Sequence, residues 1–270
     1  MEPFSISRGA GNLILAMPHT GTYVPPEVWA DLNECGRALA DTDWHLDRLY
    51  DGLVPDATVV GANFHRYVID ANRDPSGQSL YPGQNTTGLC PLTDFEGKPI
   101  YLAGREPDED EIIRRLALYH SPYHAALEAE IDRVRRQHGI VVLYDCHSIR
   151  SRIAFLFDGQ LPDFNVGTNN GVTCSPAMER AVAGICAGAT GFSSVLNGRF
   201  RGGWTTRHYG RPELGMHAIQ MELAQHTHLD REAAPFSYDE AKAGRLRAHL
   251  KAALEALVDI ASHHSNREDR

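Results

Sequence analysis

The run GIVVLYDCHS, residues 139–148, constrains the fold more than any other segment. Its near-continuous apolar and β-branched residues describe a strand buried on both faces, which a parallel sheet covered by helices provides. The chain is therefore read as α/β, with a mixed, mostly parallel sheet flanked by helices. Open sheets of this kind bind ligands outside the carboxyl ends of their strands. The run turns polar at that end, at Asp145 and His147.

Other segments fit around this strand. Residues 12–17 read as a short buried strand stopped by Pro18, which puts His19 just past a strand end in the loop PHTGTYVPP. Residues 27–53 carry a mostly helical spacing, and ATVVGANF is a second strand leading into HRYVIDANRDPSG. Residues 75–108 follow neither hydrophobic period and read as a long loop able to cover a site. Helical spacing over 108–137 is expected to kink at Pro122. A helix over 176–190, a strand in MHAIQMEL and a helix over 238–263 complete the pattern. At 270 residues the chain is expected to form one catalytic domain, 1–262, with a flexible tail over 263–270.

Charge and cysteine usage narrow the function. A formal charge of −9 and the absence of Lys/Arg runs argue against nucleic acid and anionic membranes as partners. The N-terminal apolar stretch LILAM is too short for a signal or spanning segment, so a cytoplasmic protein is expected. Five scattered cysteines without a CxxC pair read as reduced thiols and exclude a cysteine-rich zinc knuckle.

Three segments join a histidine or carboxylate to a strand end or acidic cluster: PHTG, DTDWHLD and DCHS. Hydrolytic zinc sites use three N/O ligands and leave a position open for water. His19, Asp43 and His147 are assigned to that role, with His45 the alternative to Asp43 and an N-cap cluster the bland reading of DTD. Glu222, a carboxylate inside the apolar strand AIQMEL, is costly to bury unless it works, and is read as the general base. Arg66, Asn72 and Arg73 in RYVIDANR form a second constellation. Arg199, Arg201 and Arg207 in NGRFRGGWTTRHYG form a third, and Arg66, Asn72, Arg73, Arg201 and Arg207 are read as binding a small anionic substrate. Cys146 beside His147 does not make a nucleophile–base pair, because neighbours on a strand face opposite ways.

Together PHTG, DTDWHLDRLYD, RYVIDANRDPSG, LYPGQNTTGLCPLTDFEGKPIY, YHSPYHAAL, LYDCHSI, VGTNNGVTC and NGRFRGGWTTRHYG with HAIQMEL resemble the N-formylglutamate deformylase (amidohydrolase) family. The resemblance implies a fold similar to zinc carboxypeptidases and succinylglutamate desuccinylases, one zinc or other divalent transition metal per chain, and a place in histidine degradation. It also implies that ANR resembles an Asn–Arg carboxylate clamp, that His147 matches a late histidine ligand and that Glu222 matches the general base. One departure is Thr22, which stands where such relatives often carry a glutamate ligand, so the third ligand must come from elsewhere. The expected reaction is N-formyl-L-glutamate plus water to L-glutamate and formate. The competing expectations are removal of an N-succinyl or N-acetyl group, or a non-catalytic sensor of an acidic metabolite.

Overall fold

The computed structural model describes residues 1–79 and 83–268, with side chains described as far as 263. Among the described residues seven strands form one sheet: β1 (Phe4–Ser7), β2 (Leu13–Met17), β3 (Thr58–Ala62), β4 (Val141–Ile149), β5 (Phe164–Gly167), β6 (Ser194–Leu196) and β7 (Met216–Ala224). Their order is β1-β3-β2-β4-β7-β5-β6. The pairs β3–β2, β2–β4, β4–β7 and β5–β6 are parallel, and β1–β3 and β7–β5 are antiparallel. The sheet is thus mixed and mostly parallel, with β4 central and buried along its whole length.

Strand alternation divides the core in two. Val142, Tyr144 and Cys146 of β4 pack with Ile219, Met221 and Leu223 of β7 on one face. That face is covered by α3 (Leu46–Tyr50), α6 (Pro176–Ala187) and α8 (Glu240–Glu268). Val141 and Leu143, with Ile14, Ala16, Val60 and Ala218, meet α5 (Ser121–His138) and α7 (Trp204–Tyr209) on the other. Each such fully buried aliphatic side chain contributes roughly 1.5–3 kcal/mol. Toward the carboxyl ends of β4 and β7 the second face turns polar, at Asp145, His147, Gln220 and Glu222.

The helical spacing over 27–53 resolves into α1 (Pro26–Asp31), α2 (Glu34–Arg37) and α3 rather than one helix. Asn33 caps α2 through Gly36 N–H, and Leu39 and His45 adopt left-handed φ values of 49° and 60°, which a continuous helix forbids. The expected kink at Pro122 takes the form of a widened π turn, Leu116–His120, between α4 (Glu109–Arg115) and α5. Ser121 N–H reaches Leu116 C=O, so the helix admits the proline by widening the turn before it. The last helix continues to Glu268, because no Gly or Pro in ASHHSNRE stops it. The expected tail falls mostly where side chains are not described, and 269–270 lie outside the described residues. Among the described residues no helix is long and apolar enough to cross a membrane. All five cysteines are free.

Candidate active site

Two strand ends and one loop bring the three assigned ligand residues together. His19 follows β2 by two residues, and His147 lies on the polar face of β4. Asp43 comes from the irregular segment before α3, where its N–H bonds to His19 C=O at 3.0 Å. Gly21 lets the His19 loop lie against the end of β3, since a Cβ there would meet Asn63 backbone at 2.4 Å.

His19 Nδ1 and His147 Nδ1 are 3.2 Å apart, His147 Nδ1 and Asp43 Oδ2 3.2 Å, and His19 Nδ1 and Asp43 Oδ2 3.7 Å. Donors bonded at about 2.0–2.1 Å to a tetrahedral zinc lie about 3.4 Å from one another, so the triangle has the right size. The remote nitrogens face acids. His19 Nε2 is 2.6 Å from Asp70 Oδ1, and His147 Nε2 is 2.9 Å from Asp145 Oδ1 and 3.1 Å from Asn72 Nδ2. On His19 a carboxylate at the far nitrogen holds the proton there and turns the other lone pair inward, as metal-ligating histidines require, whereas at His147 Asp145 supplies close negative charge without an aligned hydrogen bond, beside the Asn72 amide. Two Nδ1 lone pairs and a carboxylate oxygen then converge on a spot that only a cation or a proton can satisfy. The same surroundings favour positive charge on His147: against the effect of burial, Asp145, Asp43 and Glu222 raise its imidazole well above the ordinary range. Burial opposes ionisation of Asp43 too, but Arg66 and the two histidines keep its carboxyl well below the usual value.

The alternative ligand, His45, points away, with Nε2 2.8 Å from Phe236 C=O. The N-cap reading of DTD does not hold either. Asp43 bonds Arg66 Nη2 (3.0 Å) and Ser148 N–H (3.2 Å), while Asp41 accepts from Tyr67 OH (2.7 Å) and Phe95 N–H (2.8 Å).

Glu222 is paired in register with His147 on the neighbouring parallel strand and lines the same cleft. Burial, with Asp43 and Asp145 adding repulsion, pushes its carboxyl up to about 8, against the pull of His147 and Arg66. Gln220 Nε2 donates to Glu222 Oε2 at 3.2 Å, and Gln220 Oε1 accepts from Gly203 N–H at 2.6 Å. Cys146 faces the apolar core on the opposite side, where burial pushes its thiol well up, so it is no nucleophile for this cleft.

Among the arginines, Arg66, Arg73 and Arg199 line the cleft with Asn72, Asn85, Thr86 and Thr87. Arg66 is buried over the Phe95 ring at 4.9 Å, and Arg73 Nη2 bonds Thr87 Oγ1 at 2.9 Å. Arg201 is exposed, with Nε 3.4 Å from Gly198 C=O, and Arg207 on α7 holds Gly202 C=O at 2.8 Å; neither lines the cleft. Sequence reasoning gave no role to Asp70 and Asp145. Their signal was present: each stands two residues before a cleft residue, Asn72 and His147, in the strings DAN and DCH.

A strand-end cleft that gathers two histidines, a carboxylate and a separate desolvated glutamate has the equipment of a hydrolase. The model of the N-formylglutamate amidohydrolase family matches residues 11–229. An N-formylglutamate deformylase of Pseudomonas aeruginosa is 47% identical over 258 residues, covering 95% of this chain and 96% of its own. One of Pseudomonas putida is 48% identical over 256 residues, covering 94% and 95%. The crystal structure of an N-formylglutamate amidohydrolase from Ralstonia eutropha shares the fold with a TM-score of 0.78 at 24% identity, over 99% of this chain and 100% of that one. The chain belongs to the N-formylglutamate amidohydrolase family, and it is an amidohydrolase acting on an amide C–N bond.

Proposed function

We propose that the protein hydrolyses N-formyl-L-glutamate to L-glutamate and formate, using one divalent metal, zinc by its donor set, held by His19, Asp43 and His147. The observation that carries the metal reading is the donor triangle of 3.2, 3.2 and 3.7 Å backed by carboxylates on both remote nitrogens. The substrate reading is supported by the names of relatives that align over nearly the whole chain.

When bound, such a metal polarises the amide carbonyl and acidifies water. Glu222 accepts the proton of the attacking water and passes it to the leaving nitrogen, a transfer its buried position keeps from bulk solvent. Arg66 supplies fixed positive charge to the cleft, where charge develops on the carbonyl oxygen. Arg73 and Arg199 face the cleft and hold the substrate's carboxylates, with Asn72 ordering the floor beneath them. Arg201 and Arg207, on the segment leaving the cleft, add to the positive field that draws a dianion toward an acidic protein. This activity belongs in the cytoplasm, in histidine degradation.

Metal analysis tests the centre. Protein purified without added metal should carry one equivalent of a transition metal and lose turnover on chelation. His147→Ala should lose both metal and turnover, and full metal occupancy in that variant would exclude the proposed coordination.

A further inference from the structure

Besides the residues that face the cleft, the sequence string YHSPYHAAL is left over, and its two histidines lie on the helix behind the cleft. The π turn Leu116–His120 ends on His120, and His124 follows one turn into α5. π turns inside α-helices occur frequently at functional sites. His120 Nε2 is 3.1 Å from Arg73 C=O, and His124 Nε2 is 2.7 Å from Ala71 C=O. Arg115, one turn earlier, gives Nη1 to Val68 C=O at 3.0 Å and to Tyr101 OH at 2.8 Å. One helical run therefore grips the main chain of the segment that carries Asp70, Asn72 and Arg73.

Those three residues reach the centre. Asp70 contacts His19, Asn72 contacts His147, and Arg73 lines the cleft. Asn72 is held from its side chain as well, because its Oδ1 accepts Thr205 N–H at 2.9 Å. Gly203 is required beside it, since a Cβ there would lie 2.2 Å from Asn72 Nδ2. Trp204, the first residue of α7, closes the bracket with its ring 4.5 Å from that of His124 and 5.7 Å from that of His120.

The geometry points to His120 and His124 as positioning residues that set the Ala71–Arg73 backbone through two ring N–H to carbonyl hydrogen bonds, and so aim Asn72 at His147 and Arg73 at the substrate. Both rings are kept neutral by burial, His124 down to about 3. A neutral imidazole has a single N–H, and for His124 the Ala71 carbonyl at 2.7 Å requires it on Nε2, which leaves Nδ1 to accept from Tyr209 OH at 3.1 Å. The inference rests on the proposed deformylase reaction for its kinetic readout, but its exchange readout is independent of it.

The test compares leucine, which keeps bulk and removes the donor, with glutamine, whose amide nitrogen can take the place of Nε2. Loss of an outer partner of a metal ligand commonly costs 10–100-fold in activity or metal affinity. His124→Leu should lower kcat by about 10–100-fold and weaken zinc affinity. His120→Leu should act mainly on KM for N-formyl-L-glutamate. The glutamine variants should recover most of each loss. Hydrogen exchange of metal-free full-length protein should show faster exchange at Asn72 and Arg73 in the leucine variants, at conditions where global stability matches the parent. Leucine variants with unchanged kcat, KM and local exchange, or glutamine variants no better than leucine, would overturn the inference. A parent enzyme that fails to release formate would instead refute the substrate reading and leave the exchange result to decide this one.

Discussion

Replacing Glu222 by glutamine separates a working carboxylate from a structural one. The side chain is buried on β7, where it accepts a hydrogen bond from Gln220 Nε2, and its carboxyl is pushed up to about 8 by burial. In an unfolded chain a glutamate titrates near about 4.3. Between those values the folded metal-free protein holds a proton that the unfolded chain has released, so stability falls as pH rises through the window. The gap of about 3.7 units at roughly 1.4 kcal/mol each sets an upper figure on the order of 5 kcal/mol by pH 8. Glutamine cannot ionise and keeps the shape, so the metal-free variant should match the parent near pH 4.5 and exceed its melting temperature by several degrees at pH 8. Turnover should move the opposite way, with kcat down at least roughly 100-fold, the lower end for lost general acid–base catalysis. The assay is melting of chelator-treated parent and variant at both pH values, alongside kcat of the metal-loaded proteins. A variant less stable than the parent at pH 8, or one retaining kcat within about threefold, would refute the reasoning.

Asp43→Asn should weaken metal retention far more than His45→Gln, because Asp43 Oδ2 closes the donor triangle while His45 bonds a backbone carbonyl; dialysis against graded chelator measures both. Asp70→Asn removes the charge behind His19 and should cost about 10–100-fold in metal affinity, read by the same titration. Arg73→Lys and Arg199→Lys should raise KM for N-formyl-L-glutamate by about 10-fold or more with little change in melting temperature, since losing a charged hydrogen bond typically costs about 1.5–3 kcal/mol. Lysine at Arg201 or Arg207 keeps the charge outside the cleft and should change KM by less than about threefold.

The central strand, His19 and His147 were legible because each is encoded locally, whereas DTDWHLD left Asp43 and His45 both open as the third member of the candidate site. An apolar run needs a covered sheet, and PHTG and DCHS mark where strands end. Glu222 stood out because a carboxylate in an apolar strand demands a reason. The short strands were not legible: β1 and β6 at the sheet's edges and β5 beside β6 have three or four residues each, too few to show a period against loop composition. Arg201 was chosen over Arg199 from the loop NGRFRGG, which has no periodicity to guide the choice; tertiary packing decides which arginine turns inward, and it is Arg199 that lines the cleft. Arg66 was read as a substrate ligand, yet its closest partner is Asp43, a pairing across 23 residues that no spacing rule reveals. The support of Asn72 by His120 and His124 was equally silent, since it runs through main-chain carbonyls.

The substrate assignment rests on a two-carboxylate ligand with a minimal acyl group. The most direct measurement is formate release from N-formyl-L-glutamate beside N-formylglycine, together with amine release from N-acetyl- and N-succinyl-L-glutamate, before and after chelation. The account expects N-formyl-L-glutamate to be turned over with a kcat/KM at least about 100-fold above each of the other three, and expects chelation to abolish it. Equal turnover of N-formylglycine would remove the dianion cleft, preference for the acetyl or succinyl compound would move the enzyme to another acyl group, and full activity in metal-stripped protein would contradict the His19–Asp43–His147 centre itself.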